Sequence, residues 1–172
     1  AQNAPNTIFS YPTTNIGYQF KITAKLITGG LSTPFYRLYQ NGYDTHVDQI
    51  SRHEEMLSEL SSALNVFINE METLGLLDRV LIVTTSEFGR RVYENGSDGT
   101  DHGTSAPLFI FGSNINSGVY GADPDFNQLD ENDNPLVQFD YRQIYTSIIT
   151  DWFGLSQSIA NQIFGENFNK IS

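Results

Sequence analysis

The sequence has no cysteine, few basic residues and no long apolar run, and each absence narrows what the chain can be. Without cysteine, disulfide bonds and thiolate metal sites are excluded. Lys and Arg number 9 against 20 Asp and Glu, for a net charge of −11. Nucleic-acid binding is therefore not expected, because phosphate contacts need clustered basic side chains. No apolar run reaches the ~18 residues of a transmembrane helix, so no membrane span is predicted.

What is present favours one globular domain. The chain has 172 residues, of which 39% are hydrophobic and 13% aromatic, enough for a core and too apolar for wholesale disorder. Residues 1–15 are rich in Asn, Pro and Thr and are predicted to be irregular. We expect residues 1–172 to form a single α/β domain.

Hydrophobic spacing predicts alternating helices and strands. The spacing predicts a helix ending near Thr28, a long helix within 51–78 and another over 140–154. For the long helix, Ser51 and Glu54 are interpreted as a capping box and Gly75 as the stop. The long helix has an apolar stripe of Leu57, Leu60, Leu64, Phe67, Met71 and Leu74. Strands are predicted at "PFYRLYQ", "RVLIVTT" and "PLFIFG", the last two buried. This alternation is typical of an α/β fold with a mainly parallel sheet.

Polar residues follow or precede these strands. Asp44 and His46 follow the first strand, Glu87 follows the second, and Asp101 and His102 precede the third. In a parallel sheet the first two groups share the carboxyl edge, and the long loop before the third strand can fold back over them. Carboxylates and imidazoles are ligands for Zn²⁺, Mn²⁺ or Fe.

Each of these residues also has a purely structural interpretation. Asp44 alone is equally consistent with a turn cap, and His102 with a hydrogen-bonded loop imidazole. His53 lies on the apolar stripe and is interpreted as a partly buried helix histidine. Glu87 can pair with Arg90 or Arg91.

Two further groups leave the type of ligand open. Arg90 and Arg91 suit phosphate or sulfate, which guanidinium groups bind bidentately, or they are surface charge. The Asp-rich stretch 123–134 suggests calcium, but it lacks the Gly and Glu of an EF-hand loop at the required offsets. A solvated loop is the preferred interpretation there, with Ca²⁺ as the alternative.

Several motifs together resemble one family. They are "GYDTH", "LGLLDRVLIVTTSEFGRR", "ENGSDGTDHGTSAPLFIFG", "GVYG" and "DYRQIYTSIITDWFG", in that order. They resemble the domain of unknown function 1501 family, bacterial proteins related to sulfatases and alkaline phosphatases. The resemblance covers about residues 17–165, and it implies part of an alkaline-phosphatase-like α/β/α sandwich.

The resemblance also implies roles for individual residues. Phosphomutase-like members of the wider superfamily carry an Asp and a His after one strand, a Thr-x-Asp-His-Gly after another, and a final His before an apolar strand. On that pattern Asp44, His46 and His102 form one metal site. Glu87 keeps the carboxylate of a second site, and Phe88 replaces its histidine. A second alignment makes Asp101 a ligand.

The implied function is hydrolysis of a small anionic phosphate or sulfate ester by an exported, metal-dependent protein. Arg90 would steady the anion, and Glu87 or Asp101 would assist. The superfamily nucleophile comes from an N-terminal segment, so this chain is expected to be a C-terminal portion that is inactive alone. The rival interpretation is a non-catalytic binding or structural module that kept the fold.

Overall fold

The computed structural model describes residues 6–171, which form two compact units that divide between Ser117 and Gly118. Residues 1–5 of the segment predicted to be irregular lie outside the described residues. The remainder of that segment has no helix or strand before Asn15. Among the described residues, no helix is both long and apolar enough to cross a membrane.

Two helices form the core of the first unit. Helix α1 spans Asn15–Thr28 and helix α2 spans Gln49–Thr73. The hydroxyl of Thr14 caps α1 by accepting from the backbone N–H of Gly17 at 3.2 Å. The predicted end of α1 at Thr28 agrees with the structure. Helix α2 starts two residues before Ser51 and ends two residues before the predicted stop at Gly75, and Asp48 rather than Ser51 is its N-cap residue.

The two helices pack through residues spaced three and four apart. The buried members of this core are Ile16, Phe20, Ala24, Ala63, Leu64, Phe67 and Met71. The rings of Phe20 and Phe67 lie 5.1 Å apart between centroids. Only part of the predicted stripe is buried. Leu64, Phe67 and Met71 are buried and Leu60 is partly buried, whereas Leu57 and Leu74 at the two ends are 49% and 40% exposed. The packed helices present one end of α2 to the segment that carries Asp44 and His46.

Four short strands complete this unit as two separate pairs. Strand β1 (Ile82–Val83) pairs antiparallel with β4 (Ile110–Phe111). Strand β2 (Gly89–Glu94) pairs antiparallel with β3 (Thr100–Gly103), and the register places Arg90 opposite His102. A turn of 3₁₀ helix, Leu77–Arg79, leads into β1.

The predicted α/β/α sandwich with a mainly parallel sheet is therefore wrong. The described residues contain only two-stranded antiparallel pairs. Parallel strands need a long crossover connection, usually a helix. Here the connection from β1 to β4 is the β2–β3 hairpin, so the chain returns in the opposite direction. The segment predicted as the first strand, residues 34–40, forms no strand, and Phe35 and Tyr39 within it are exposed.

The second unit contains two helices and a long irregular stretch. Helix α3 (Tyr141–Ser147) continues into a π-helical turn, Ile148–Trp152, and helix α4 spans Gln157–Phe164. Before α3 the chain is irregular apart from one isolated bridge between Leu129 and Pro135. Asp140 begins α3 with a reciprocal capping box shared with Gln143.

Candidate metal centre

Three ligand-type side chains converge where residues 44–46 meet the β2–β3 hairpin. The carboxylate Oδ1 of Asp44 lies 2.8 Å from His102 Nε2 and 3.1 Å from His46 Nε2. The two imidazole Nε2 atoms are 3.2 Å apart. Within the described part of the chain, these residues form the one group of three or more such side chains close enough to hold a metal ion.

The triangle of ligand atoms has dimensions that suit a small divalent cation. Two imidazole nitrogens and one carboxylate oxygen with separations of 2.8–3.2 Å would hold a zinc ion, for which these atoms are usual ligands. Two imidazoles and a carboxylate also suit iron or manganese. All three residues are exposed, with side-chain exposures of 46–58%. Solvent or a substrate can therefore reach the remaining coordination positions.

Asp101 orients one of the two imidazoles. Its Oδ1 lies 3.3 Å from His46 Nδ1, on the side of the ring opposite the triangle. A carboxylate at this position favours a proton on Nδ1 and leaves the Nε2 lone pair directed at the ligand triangle. The structure thus places Asp101 at the Nδ1 side of His46, outside the three-residue group.

Phe88 supports the other imidazole. Its ring stacks on His102 with centroids 3.7 Å apart and an interplanar angle of 11°. Phe88 immediately precedes β2, and His102 lies on β3, so the hairpin pairing brings the two rings together. The expected neighbour Glu87 is exposed and is not a member of the three-residue group.

Arg90 ties the hairpin to the segment that carries the ligands. Its guanidinium donates to the carbonyl oxygens of Tyr43 at 2.6 Å and Thr100 at 2.7 Å, and it contacts Asp44 Oδ1 at 3.2 Å. The side chain is only 15% exposed. Its donors are thus directed at backbone oxygens and a ligand. Sequence reasoning missed this role because carbonyl oxygens have no residue-specific signal.

The ionised form of Asp44 is favoured by this environment. The hydrogen bond from His102 is the largest cause of a lowered pKa for the Asp44 carboxyl group, and the charges of His102, His46 and Arg90 lower that pKa further. Burial acts in the opposite direction and is outweighed. A carboxylate that stays ionised is the form that coordinates a metal.

The turn of the hairpin packs directly on the backbone beside His46. Asn95 Nδ2 donates to the carbonyl oxygen of His46 at 3.0 Å, and the N–H of Gln49 donates to the carbonyl of Asp98 at 2.8 Å. A Cβ atom at Gly99 would lie 2.2 Å from the carbonyl carbon of His46, so only glycine fits this close approach. The turn signals "NG" and "DG" were present in the sequence, but their contact with His46 was not predictable from them.

The Asp-rich loop of the second unit has a different organisation. Asp125 accepts from the backbone and side chain of Asn127 and from Gln128, and Asp130 accepts from Asn132 and Asn134. The backbone hydrogen bond from Asn127 is the largest cause of a lowered pKa for Asp125. These contacts are those of polar turn residues capping their own backbone.

Comparison with known proteins supports the resemblance to the domain of unknown function 1501 family. No curated protein and no solved structure matches the chain. The family model described as "protein of unknown function (DUF1501)" matches residues 21–163. Because the match includes both the ligand-bearing segment and the hairpin, and most of the chain, the protein belongs to the DUF1501 family.

Proposed function

We propose that this chain carries the metal centre of an exported, metal-dependent hydrolase of phosphate or sulfate esters. The observation that carries the proposal is the convergence of Asp44 Oδ1 and the Nε2 atoms of His46 and His102 within 3.2 Å of one another. Two histidines and one carboxylate with open positions form the ligand pattern of catalytic rather than structural zinc sites. Export, and a nucleophile from another segment of the complete protein, rest on the family resemblance.

A divalent ion held by these residues would polarise an ester oxygen as a Lewis acid. The chain's own residues supply the supporting functions. Asp101 fixes the ring of His46, and Phe88 supports the ring of His102. Arg90 anchors Asp44, and the exposed Glu87, one residue before Phe88, is the nearest candidate in sequence for an assisting carboxylate.

Metal binding is the first test. We expect one equivalent of Zn²⁺, Mn²⁺ or Fe²⁺ per chain by calorimetric titration. Binding should disappear in His46→Ala and in His102→Ala, since each variant removes one corner of the ligand triangle. Asp98→Asn is the matched control, because Asp98 is a carboxylate of the same hairpin that is outside the three-residue group. The metal site would be overturned if Asp98→Asn lost metal binding or if the wild-type protein bound no metal.

Ester hydrolysis is the second test and uses the complete natural protein. We expect hydrolysis of p-nitrophenyl phosphate or p-nitrophenyl sulfate that needs the metal and is lost in the same two histidine variants. The 172-residue chain alone is expected to be inactive. Stoichiometric metal binding without any ester hydrolysis would instead support a non-catalytic module. That alternative is favoured by Phe88, whose phenyl ring cannot coordinate and lies flat against His102.

A further inference from the structure

Thr45, which lies between the candidate ligands Asp44 and His46, is buried although both of its neighbours are exposed. Thr45 is fully buried, with 0% exposure, whereas Asp44 and His46 on either side of it are exposed. The two ligands face the β2–β3 hairpin, and the Thr45 side chain faces helix α2. A hydroxyl removed from water in this way requires a hydrogen-bond partner.

The partner is the third histidine of the chain. Thr45 Oγ1 and His53 Nε2 are hydrogen-bonded at 2.9 Å. The same nitrogen lies 3.5 Å from the carbonyl oxygen of Tyr43, and the Tyr43 ring meets the imidazole edge-on with centroids 5.7 Å apart. His53 lies in the second turn of α2, so a rigid helix contacts the ligand-bearing segment at this point.

The backbone of the same segment is held from the hairpin side. The carbonyl oxygen of Thr45 accepts from the N–H of Thr100 at 3.3 Å, and the carbonyl of Tyr43 accepts from Arg90 at 2.6 Å. Residues 43–45 are therefore fixed on one side by α2 and on the other by the hairpin. Because one residue separates the ligands, the conformation of Thr45 sets the directions in which Asp44 and His46 project.

We propose that Thr45 and His53 form a positioning pair that holds Asp44 and His46 at metal-binding distance without contributing a ligand. This inference rests on the proposed metal site and deepens it. The His53 imidazole acts through the buried hydroxyl of Thr45, and through it couples the helical core to the metal centre. Mutation of residues that contact and orient metal ligands typically lowers metal affinity by about 10- to 100-fold.

Thr45→Val tests the pair with the least change in shape, because it replaces the hydroxyl by a methyl group. We expect Thr45→Val to bind Zn²⁺ about tenfold more weakly, with one equivalent still bound, and Thr45→Ser to retain wild-type affinity. The visible spectrum of the Co²⁺-loaded protein should change in Thr45→Val and be restored in Thr45→Ser. Thr23→Val is the control, since Thr23 is also buried and hydrogen-bonded but lies on α1.

His53 is tested separately and in combination. His53→Leu should weaken Zn²⁺ binding as much as Thr45→Val does, and His53→Gln should recover part of the loss through its side-chain amide. The double variant Thr45→Val/His53→Leu should be no weaker than either single variant, because both remove the same contact. Since His53 is only partly buried, its variants test the pair even if Thr45→Val does not fold.

The outcomes separate this inference from the proposed metal site. If the wild-type chain binds no divalent metal, the site itself fails. If the wild type binds metal and both Thr45→Val and His53→Leu bind it with unchanged affinity and unchanged Co²⁺ spectra, the positioning pair is refuted and the site stands. Additive losses in the double variant would likewise refute a pair that acts as a unit.

Discussion

The Oδ1 atom of Asp101 lies 3.3 Å from Nδ1 of His46, on the side of the imidazole ring that faces away from Asp44. The carboxylate of Asp101, on the hairpin, therefore lies behind His46. The carboxylate of Asp44, outside the hairpin, is itself a corner of the triangle of candidate ligand atoms. Asp101 would therefore affect metal affinity only through the tautomer and orientation of His46.

Asp101→Asn should accordingly weaken metal binding without abolishing it. We expect about a tenfold increase in the Zn²⁺ dissociation constant, within the range seen when groups behind metal ligands are changed. Calorimetric titration against a competing chelator measures the change, with Asp98→Asn as the control. Complete loss of binding, equal to that of His46→Ala, would show that Asp101 is a direct ligand.

Gly99 is predicted to be intolerant of any side chain. An alanine Cβ would lie 2.2 Å from the carbonyl carbon and 2.5 Å from the carbonyl oxygen of His46, so the hairpin turn must move away from the ligand-bearing segment. Overpacking of this kind costs about 1–3 kcal/mol in the free energy of unfolding, or a decrease in Tm of roughly 3–10 °C for a chain of this length. Zn²⁺ affinity should fall as well, because His46 is displaced.

Gly96 in the same turn is the matched control for this experiment. Apart from its two chain neighbours, no atom of residues 6–171 lies within 4 Å of a Cβ built at Gly96. Gly96→Ala should therefore leave Tm and Zn²⁺ affinity close to their wild-type values. Equal effects of the two substitutions on thermal unfolding and metal titration would show that the turn responds to lost glycine flexibility rather than to contact with His46.

The helices and the ligand residues were more predictable than the sheet. Helical spacing in the sequence indicated α1 and α2 because each of these helices buries one face, and burial leaves a period in the sequence. Asp44, His46 and His102 were expected to converge, and the structure brings them together. The geometry that does so is different, since a hairpin rather than the edge of a parallel sheet presents His102.

The hairpin was not predictable from hydrophobic pattern alone. Strand β2, with the sequence "GRRVYE", and strand β3, with the sequence "TDHG", are largely polar, so they lack the alternation that marks a half-buried strand. Their pairing is stabilised by contacts that no local pattern reveals. Arg90 donates to two carbonyl oxygens, and Phe88 stacks on His102 across the pair. Such contacts depend on the fold being formed first.

Phe88→Ala tests the stacked ring beneath His102. A stacked aromatic pair is worth about 0.5–1.5 kcal/mol beyond its buried area, so its loss should weaken Zn²⁺ binding by about two- to tenfold. Tyr93→Ala is the control, because Tyr93 is an exposed aromatic residue of β2. If metal titration shows the same affinity for Phe88→Ala as for wild type, the ring of His102 is held by its other contacts.

Asp140 makes the free energy of unfolding depend on pH. Its carboxylate accepts from the Nε and terminal nitrogen of Arg142 at 2.8 and 2.6 Å and from the Arg142 backbone N–H at 2.9 Å. The side-chain hydrogen bond from Arg142 is the largest cause of the lowered pKa of Asp140, and its backbone hydrogen bond and charge add to it. The folded protein therefore favours the ionised carboxylate more than the unfolded chain does.

Asp140→Asn isolates this contribution, because asparagine keeps a helix-capping oxygen but has no charge. A lowered pKa in the folded state stabilises it above the unfolded pKa of 3.8, and the stabilisation disappears as pH falls through the folded pKa. Urea unfolding at pH 7 should thus show the wild type as the more stable protein, by a small margin because the pair is partly exposed. As the pH falls below 3.8 and through the lower pKa of the folded state, the two stability curves should converge. If the difference in stability between wild type and Asp140→Asn stays constant as the pH falls, the cap rather than the charge distinguishes the two proteins.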